Sequence, residues 1–592
     1  MTSDEKIAAL RALMSSHAID AWIVPSADPH QSEYVAERWQ ARAWMTGFSG
    51  SAGTLVVTND RAGLWTDSRY HLRAEQDLAG TSIELFKDRL PGVPSYTEWL
   101  AGQLPSGATV GFDGNVFSVS DVAKLSQALA DKKIALNFEH DLIGQIWADR
   151  PDRPAGPLFL HDIRFSGESR AGKLARIRDK MLQQDAQVLV LAALDDIAWT
   201  LNIRGSDVTC NPVAVSYAVI TDSVARLFVD AGKVPADVST ALTADGVTLA
   251  PYEAIEDYLQ ELPAGATVLI DPDKTSYRLA QSIAPDCEVK QQTSLARAMK
   301  VVKNATELDG IRQAHVRDGI AMVKWLRWLE TEVASGVHTE VTAAAKLEQI
   351  RSEAEHYQGL SFSIIAGYAA NGAIGHYKPE AATAATLHPQ SVLVVDSGSQ
   401  YLDGTTDVTR TVSLGSPTAE QRRAFTRVLQ SLIGLATAQF PQGTTGVQLD
   451  ALARAPLWAE GWECRHGIGH GVGHFLNVHE GPPRFSPTGT APIEPGMVMS
   501  IEPGVYFEGR FGIRIENMVI VAARDATEFG NFHGFETVTL CPIDLSLVDF
   551  SLLSRDELAW LNSYHQCVFD TLAPHLAPEE REWLRHKTRR AA

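Results

Sequence analysis

The chain has 592 residues, 45% hydrophobic and 21% charged, an ordinary globular balance with room for about two to four domains. Its 52 Lys and Arg against 72 Asp and Glu leave a net charge of −20, which excludes a general nucleic-acid binder, because phosphate binding needs a basic surface. The five cysteines (Cys210, Cys287, Cys464, Cys541 and Cys567) are scattered and form no CxxC pair, the N-terminus lacks an apolar leader, and no apolar run approaches the roughly 20 residues that span a bilayer. A reduced, cytoplasmic protein with no membrane partner is the expectation.

Residues 1–150 read as a first α/β domain. Glu5 to His17 has helical periodicity, Ala21–Pro25 is a short apolar strand, Ala52 to Thr58 is another, and Gly63 to Tyr70 is a strand and turn. Arg150–Pro157 is rich in Pro and charge and reads as a linker. Beyond it the order recurs. Lys173 to Gln184 is helical, Ala186 to Ala192 is a strand, Asp195 to Gly205 resembles Trp39 to Gly50, and Val213–Val219 and Val224–Val229 follow as strands. Residues 151–300 therefore read as a second copy of the first domain. A third domain, 301–592, opens on a long helical pattern through Glu332, with Asn304 or Thr306 as its N-cap. The tail from Ser554 reads as helix, its closing basic run complementing the helix dipole.

Within the third domain, Val392 to Thr411 reads VLVVDSGSQYLDGTTDVTRT. Four apolar residues carry Asp396 to the end of a strand, and Asp407 follows on the next strand after a turn at Gly404. Two carboxylates on neighbouring strands can converge, and burying them requires a positive partner between them. His470, Glu502 and Glu516 can complete the shell. One histidine with four carboxylates is a hard, oxygen-rich set, suited to a pair of divalent ions such as Mn²⁺ rather than a lone structural zinc.

His470 lies among four glycines in GIGHGVGH, with His466 before it and His479 after. A lone histidine is more often structural, but glycines on both sides remove the steric shell a core histidine needs and let the backbone approach a ligand closely. If Arg514 and Glu516 share a strand, they share a face. Arg514 then orients a carboxylate, with a surface ion pair as the alternative. His376, in GAIGHYKP, is by itself a turn or core histidine.

In this order, Asp396, Asp407, His470, Glu502 and Glu516 resemble the ligand set of the pita-bread metallopeptidase family, which includes methionine aminopeptidase, prolidase and Xaa-Pro aminopeptidase. DSGSQYLDGTTDVTRT, HGIGHGVGHFLNVHEGP, EPGVY and FGIRIEN carry the resemblance, and PSADPHQSEY, GFSGSAGT, WTDSRY and IRGSDVTCNPV extend it towards the large three-domain aminopeptidase P branch. The resemblance implies an α/β (α+β) chain with two creatinase-type N-terminal domains before a pita-bread domain. It makes Asp396 a bidentate ligand of one metal, Asp407 and Glu516 bridging ligands, and His470 and Glu502 ligands of the other. His376, His466 and His479 match the histidines that handle the carbonyl, the proline ring and proton movement, and Glu502 doubles as proton relay. His474 departs from the pattern, where a small residue is expected. The implied activity is hydrolysis of the bond between any N-terminal residue and a penultimate proline, by a hydroxide bridging two divalent ions. Mn²⁺ comes first among these, with Zn²⁺ and Co²⁺ also suited, and a homodimer is implied. A prolidase-type dipeptidase, a binding protein that has lost its ligands and a creatinase-like hydrolase are the rival readings.

Overall fold

Ala21–Pro25 is apolar without alternation because both its faces are covered. Trp22 and Val24 enter one core with Leu10, Leu55 and Leu64, and Ala21 and Ile23 enter the other with Val56, Val110 and Phe112. The strand sits inside a six-stranded sheet, ordered Glu84–Lys87, Ala62–Thr66, Thr54–Thr58, Ala21–Pro25, Thr109–Phe112, Ala135–Asn137. It is antiparallel to Thr54–Thr58 and parallel to Thr109–Phe112. A second six-stranded sheet repeats that order and sense about Val188–Leu191, which is antiparallel to Tyr217–Thr221 and parallel to Thr267–Ile270. The computed structural model describes residues 1–591. Both sheets belong to one compact unit, Met1–His161 with Glu168–Ala298, and the other unit takes Asp162–Gly167 and the chain from Met299 onward.

That second unit opens on the helix Ala305–Glu332, capped reciprocally. Asn304 Oδ1 accepts from the Glu307 N–H at 3.0 Å, and the Glu307 carboxylate accepts from the Asn304 N–H at 2.9 Å. A three-stranded antiparallel sheet places Val392–Ser397 between Ile365–Tyr368 and Val408–Ser413. A six-stranded sheet runs Phe440–Pro441, Phe532–Thr537, Asn517–Ala523, Val498–Ile501, Gly469–Gly471, Glu480–Phe485. The hairpin Gly504–Phe507 with Phe511–Arg514 completes the strands around the site. The core beneath them joins Val392, Ile501, Ile513 and Val519 to Val428, Leu429 and Leu432 of the helix Ala419–Ala436.

Three local expectations differ from the structure. The strand expected at Val213–Val219 starts at Tyr217, because the Asp207 side chain takes the Val215 N–H at 2.6 Å and the Asp207 N–H goes to the Val213 carbonyl, away from the sheet. The tail is two helices, Arg555–Leu572 and Pro578–Lys587, because Pro574 and Pro578 lack the N–H that a continuous helix requires. Arg514 and Glu516 do not share a strand: Phe511–Arg514 ends at the arginine, Asn517–Ala523 begins after the glutamate, and Glu516 lies in the break.

Candidate metal centre

Asp396 lies near the end of Val392–Ser397 and is paired in register with Thr409 of the neighbouring strand. Asp407 immediately precedes the strand Val408–Ser413, two residues before Thr409. Glu516 is tied to the same place from the other side. Its N–H donates to the Thr409 carbonyl at 3.0 Å, and its Oε2 accepts from Thr409 Oγ1 at 2.8 Å. His470 occupies the middle of Gly469–Gly471, with Nδ1 2.9 Å from the Gly471 carbonyl. That contact assigns the ring proton to Nδ1 and leaves Nε2 unprotonated, 3.6 Å from Asp407 Oδ2 and 3.6 Å from Glu502 Oε1. One ligand atom each from Asp407, His470 and Glu516 falls within 4.8 Å of the others.

The glycines around His470 serve the sheet rather than a ligand. A Cβ on Gly469 would stand 2.0 Å from the Ser500 carbonyl, and one on Gly471 2.5 Å from that of Glu480. Only glycine lets both flanking strands close on this short one.

Asp396, Asp407, Glu502 and Glu516 bring four carboxylates together, and one guanidinium, that of Arg514, sits among them. It donates from Nη2 to Asp396 Oδ2 at 2.7 Å, from Nε to Thr409 Oγ1 at 3.3 Å and from Nη1 to the Tyr506 hydroxyl at 2.6 Å. Arg514 is buried, which rules out the surface ion pair. Burial opposes its charge, but Tyr506, Asp396 and Glu502 outweigh that and hold its pKa well above the usual range. Burial and then Glu516, Asp396 and Glu502 push the Asp407 carboxyl well up, and burial with Asp396 and Glu502 does the same to Glu516. Burial also raises Glu502, although His466 and Arg514 pull it down. One carboxylate oxygen on each of Asp396, Asp407 and Glu516 is buried without any hydrogen-bond partner. Four carboxylates against one guanidinium leave three negative charges, and the oxygens without donors are the ones a cation would take. The residues fit a pair of divalent ions.

The expected histidines fall around this cluster. The His479 ring stands edge to face against His470, centroids 4.3 Å apart. His466 Nε2 is 2.8 Å from the Tyr506 hydroxyl. His466 Nδ1 lies 2.7 Å from the Gly467 carbonyl and donates to it, so Nε2 accepts the tyrosine proton. Burial lowers the His466 pKa in keeping with this neutral ring. His376 is half-buried in a turn whose Gly375 carbonyl lies 3.5 Å from Arg514 Nη1. His474, where the family pattern has a small residue, is buried at 3% exposure.

Three residues of the cluster escape sequence reading. Thr409 joins Glu516 to Arg514, and its spacing of two from Asp407 is the signal that could have found it. Tyr506 links His466 to Arg514, and it closes the EPGVY stretch. Arg410, 1% exposed, donates to the Glu516 carbonyl at 2.6 Å and to Asn517 Oδ1 at 2.8 Å, and nothing in its spacing betrays it.

Comparison with known proteins matches four family models along the chain. Residues 6–139 and 149–307 match models of the creatinase/prolidase N-terminal domain, 309–523 the metallopeptidase family M24, and 531–591 the C-terminal region of that peptidase. The chain is 43% identical to a probable Xaa-Pro aminopeptidase P of Laccaria bicolor over 99% of this chain and 93% of that one. It is 40% identical to aminopeptidase P2 of Arabidopsis thaliana over 99% and 88%. A crystal structure of an X-prolyl aminopeptidase from Caenorhabditis elegans, described as a cytosolic enzyme with a di-nuclear active site, superposes with a TM-score of 0.95 at 35% identity, covering all of both chains. The chain belongs to the Xaa-Pro aminopeptidase P family of M24 metallopeptidases.

Proposed function

We propose that this chain removes the N-terminal residue from peptides whose second residue is proline, using two divalent ions held by Asp396, Asp407, His470, Glu502 and Glu516. The observation that carries the reading is the convergence of Asp407, His470 and Glu516 within 4.8 Å, beside buried carboxylate oxygens that have no donors. Divalent ions held by these residues would supply Lewis-acid chemistry, lowering the pKa of a bound water so that hydroxide is available at neutral pH and polarising the scissile carbonyl. Two dications with one hydroxide carry three positive charges, equal to the deficit of the cluster. Oxygen donors favour Mn²⁺, with Zn²⁺ and Co²⁺ as alternatives.

The protein's own groups do the rest. Arg514 takes one oxygen of Asp396 at 2.7 Å and so sets the plane of that carboxylate. Gly471 fixes the His470 tautomer through Nδ1. His376 or His479 donates to the carbonyl oxygen as negative charge develops on it, and His466 lines the proline side. Glu502, its pKa raised by burial, accepts a proton and delivers it to the leaving nitrogen. That nitrogen is proline's and carries no N–H in the substrate, so protonation is what makes it leave. The three-part division at residues 150 and 300 is proposed with this, supported by the family-model boundaries. So are a cytoplasmic location, supported by the Caenorhabditis elegans relative described as cytosolic, and a homodimer, which rests on the sequence resemblance alone. No described helix is long and apolar enough to cross a membrane.

The test is incubation with Mn²⁺ and an Arg-Pro-Pro peptide, with Ala-Pro and Arg-Ala-Ala alongside. Release of arginine from Arg-Pro-Pro far faster than from Arg-Ala-Ala is the expected result. Cleavage of Ala-Pro alone would reassign the chain to a prolidase activity, and no cleavage with metal bound would overturn the substrate reading.

A further inference from the structure

Glu480, next in sequence to His479, is buried between two buried lysines. Lys300 Nζ donates to its Oε1 at 2.9 Å, and Lys303 Nζ donates to its Oε2. Glu307, buried in the first turn of Ala305–Glu332, adds a second negative charge near Lys303. Two ammonium groups and two carboxylates are thus enclosed and balanced. Such clusters gain little stability over apolar packing, because desolvation consumes the Coulomb attraction, so their use lies in fixing geometry.

The geometry at this point needs fixing. Glu480 begins Glu480–Phe485, the edge strand of its sheet, and pairs only with Gly469–Gly471. The register shifts between His470 and Gly471, where Glu480 is the partner of Gly471. Pro482 and Pro483 follow and have no N–H for the ladder. Backbone pairing is therefore weakest where the chain must hold the His479 ring 4.3 Å from His470. Asn477 steadies one side of His479, its Nδ2 donating to the His479 carbonyl at 3.0 Å. On the other side the side-chain hold is Glu480 between its lysines.

We propose that Lys300 and Lys303, by gripping Glu480, are positioning residues that hold His479 in its working orientation. This rests on the role given to His479 above. Lys303→Met removes one arm of the grip and leaves Lys300 as the one ammonium against Glu480 and Glu307. With Arg-Pro-Pro as substrate, kcat falls about tenfold or more, since small misplacements of a catalytic group cost up to about a hundredfold. KM and the two bound Mn²⁺ stay at wild-type values. The effect is conditional on the histidine: in a His479→Ala background, adding Lys303→Met lowers kcat by less than about twofold, because coupled residues are not additive. Lys303→Arg, which keeps the charge and changes the reach, is read in the same way if the methionine variant does not fold.

Wild-type kcat in the metal-loaded lysine variants, loss of metal from them, or a full multiplicative loss in the His479→Ala background would each overturn the proposal while leaving the role of His479 intact. Wild-type turnover by His479→Ala alone would remove that role and the proposal with it.

Discussion

Asp407→Asn should make the metal-free protein more stable while abolishing its activity. In the absence of ions, Asp407 shares a buried cluster with Glu516, Asp396 and Glu502, and those neighbours together with burial raise its pKa. At the 4.8 Å limit on the Asp407–Glu516 ligand atoms, two ionised carboxylates repel by about 3.5 kcal/mol at an effective dielectric of about 20. Protonation of one of them, and Arg514 nearby, cap what is felt, so the variant gains about 1–3 kcal/mol. The sign follows from linkage. A carboxyl whose folded pKa is raised binds more protons folded than unfolded, so the wild type loses stability as pH rises from the unfolded value of 3.8 through the raised one. The advantage of the asparagine therefore appears at high pH and vanishes on acidification. Urea unfolding of EDTA-dialysed protein, followed on the transition of the catalytic unit at several pH values, measures it. With Mn²⁺ at about 100 times Kd the wild type gains about 2.7 kcal/mol per site, whereas the variant, lacking one of the proposed ligands, gains little. An Asp407→Asn protein that is less stable than wild type without metal at pH 8, or that still binds two Mn²⁺ and turns over, would refute the cluster as a metal site.

Other outcomes follow from single contacts. His479→Ala keeps both ions, as metal analysis will show, and loses about 10²–10⁴-fold in kcat; loss of metal instead would mean that the histidine is a ligand. Thr409→Val removes the hydroxyl that Glu516 Oε2 accepts from at 2.8 Å, and a chelator competition should show metal affinity reduced about 10–100-fold. His565 is buried and accepts from the Ile543 N–H through Nε2 at 3.1 Å, and burial lowers its pKa from 6.5 to about 4. Its unfolded form takes up a proton first, so Mn²⁺-loaded protein loses about 2 kcal/mol between pH 7 and pH 5 from this group. His565→Gln should flatten that part of the pH–stability curve, and an unchanged slope would show that the ring is not held neutral.

The sequence by itself picked out the residues that the fold gathers into one cluster. Val392–Val395 is apolar enough to bury a strand, so Asp396 had to arrive in the interior, and the order Asp396, Asp407, His470, Glu502, Glu516 is chemical information that survives without coordinates. The helix from Ala305 was legible because its cap is local, Asn304 and Glu307 lying within one turn. The repeated order of strands in the N-terminal unit was legible as well, since apolar runs and turn residues recur in the same succession.

Only the tertiary structure decided what surrounds those residues. Arg514 meets Asp396 from 118 positions away and Thr409 meets Glu516 from 107, and no local pattern encodes such distances. Arg410 looks like any strand residue until its guanidinium is seen spanning Glu516 and Asn517. The glycines flanking His470 misled for the same reason: what a missing Cβ makes room for depends on strands that arrive later in the chain, here the carbonyls of Ser500 and Glu480. Hydrophobic period and caps are properties of neighbours in sequence. Charge compensation and close packing are properties of neighbours in space, and they come into being only when the chain has closed.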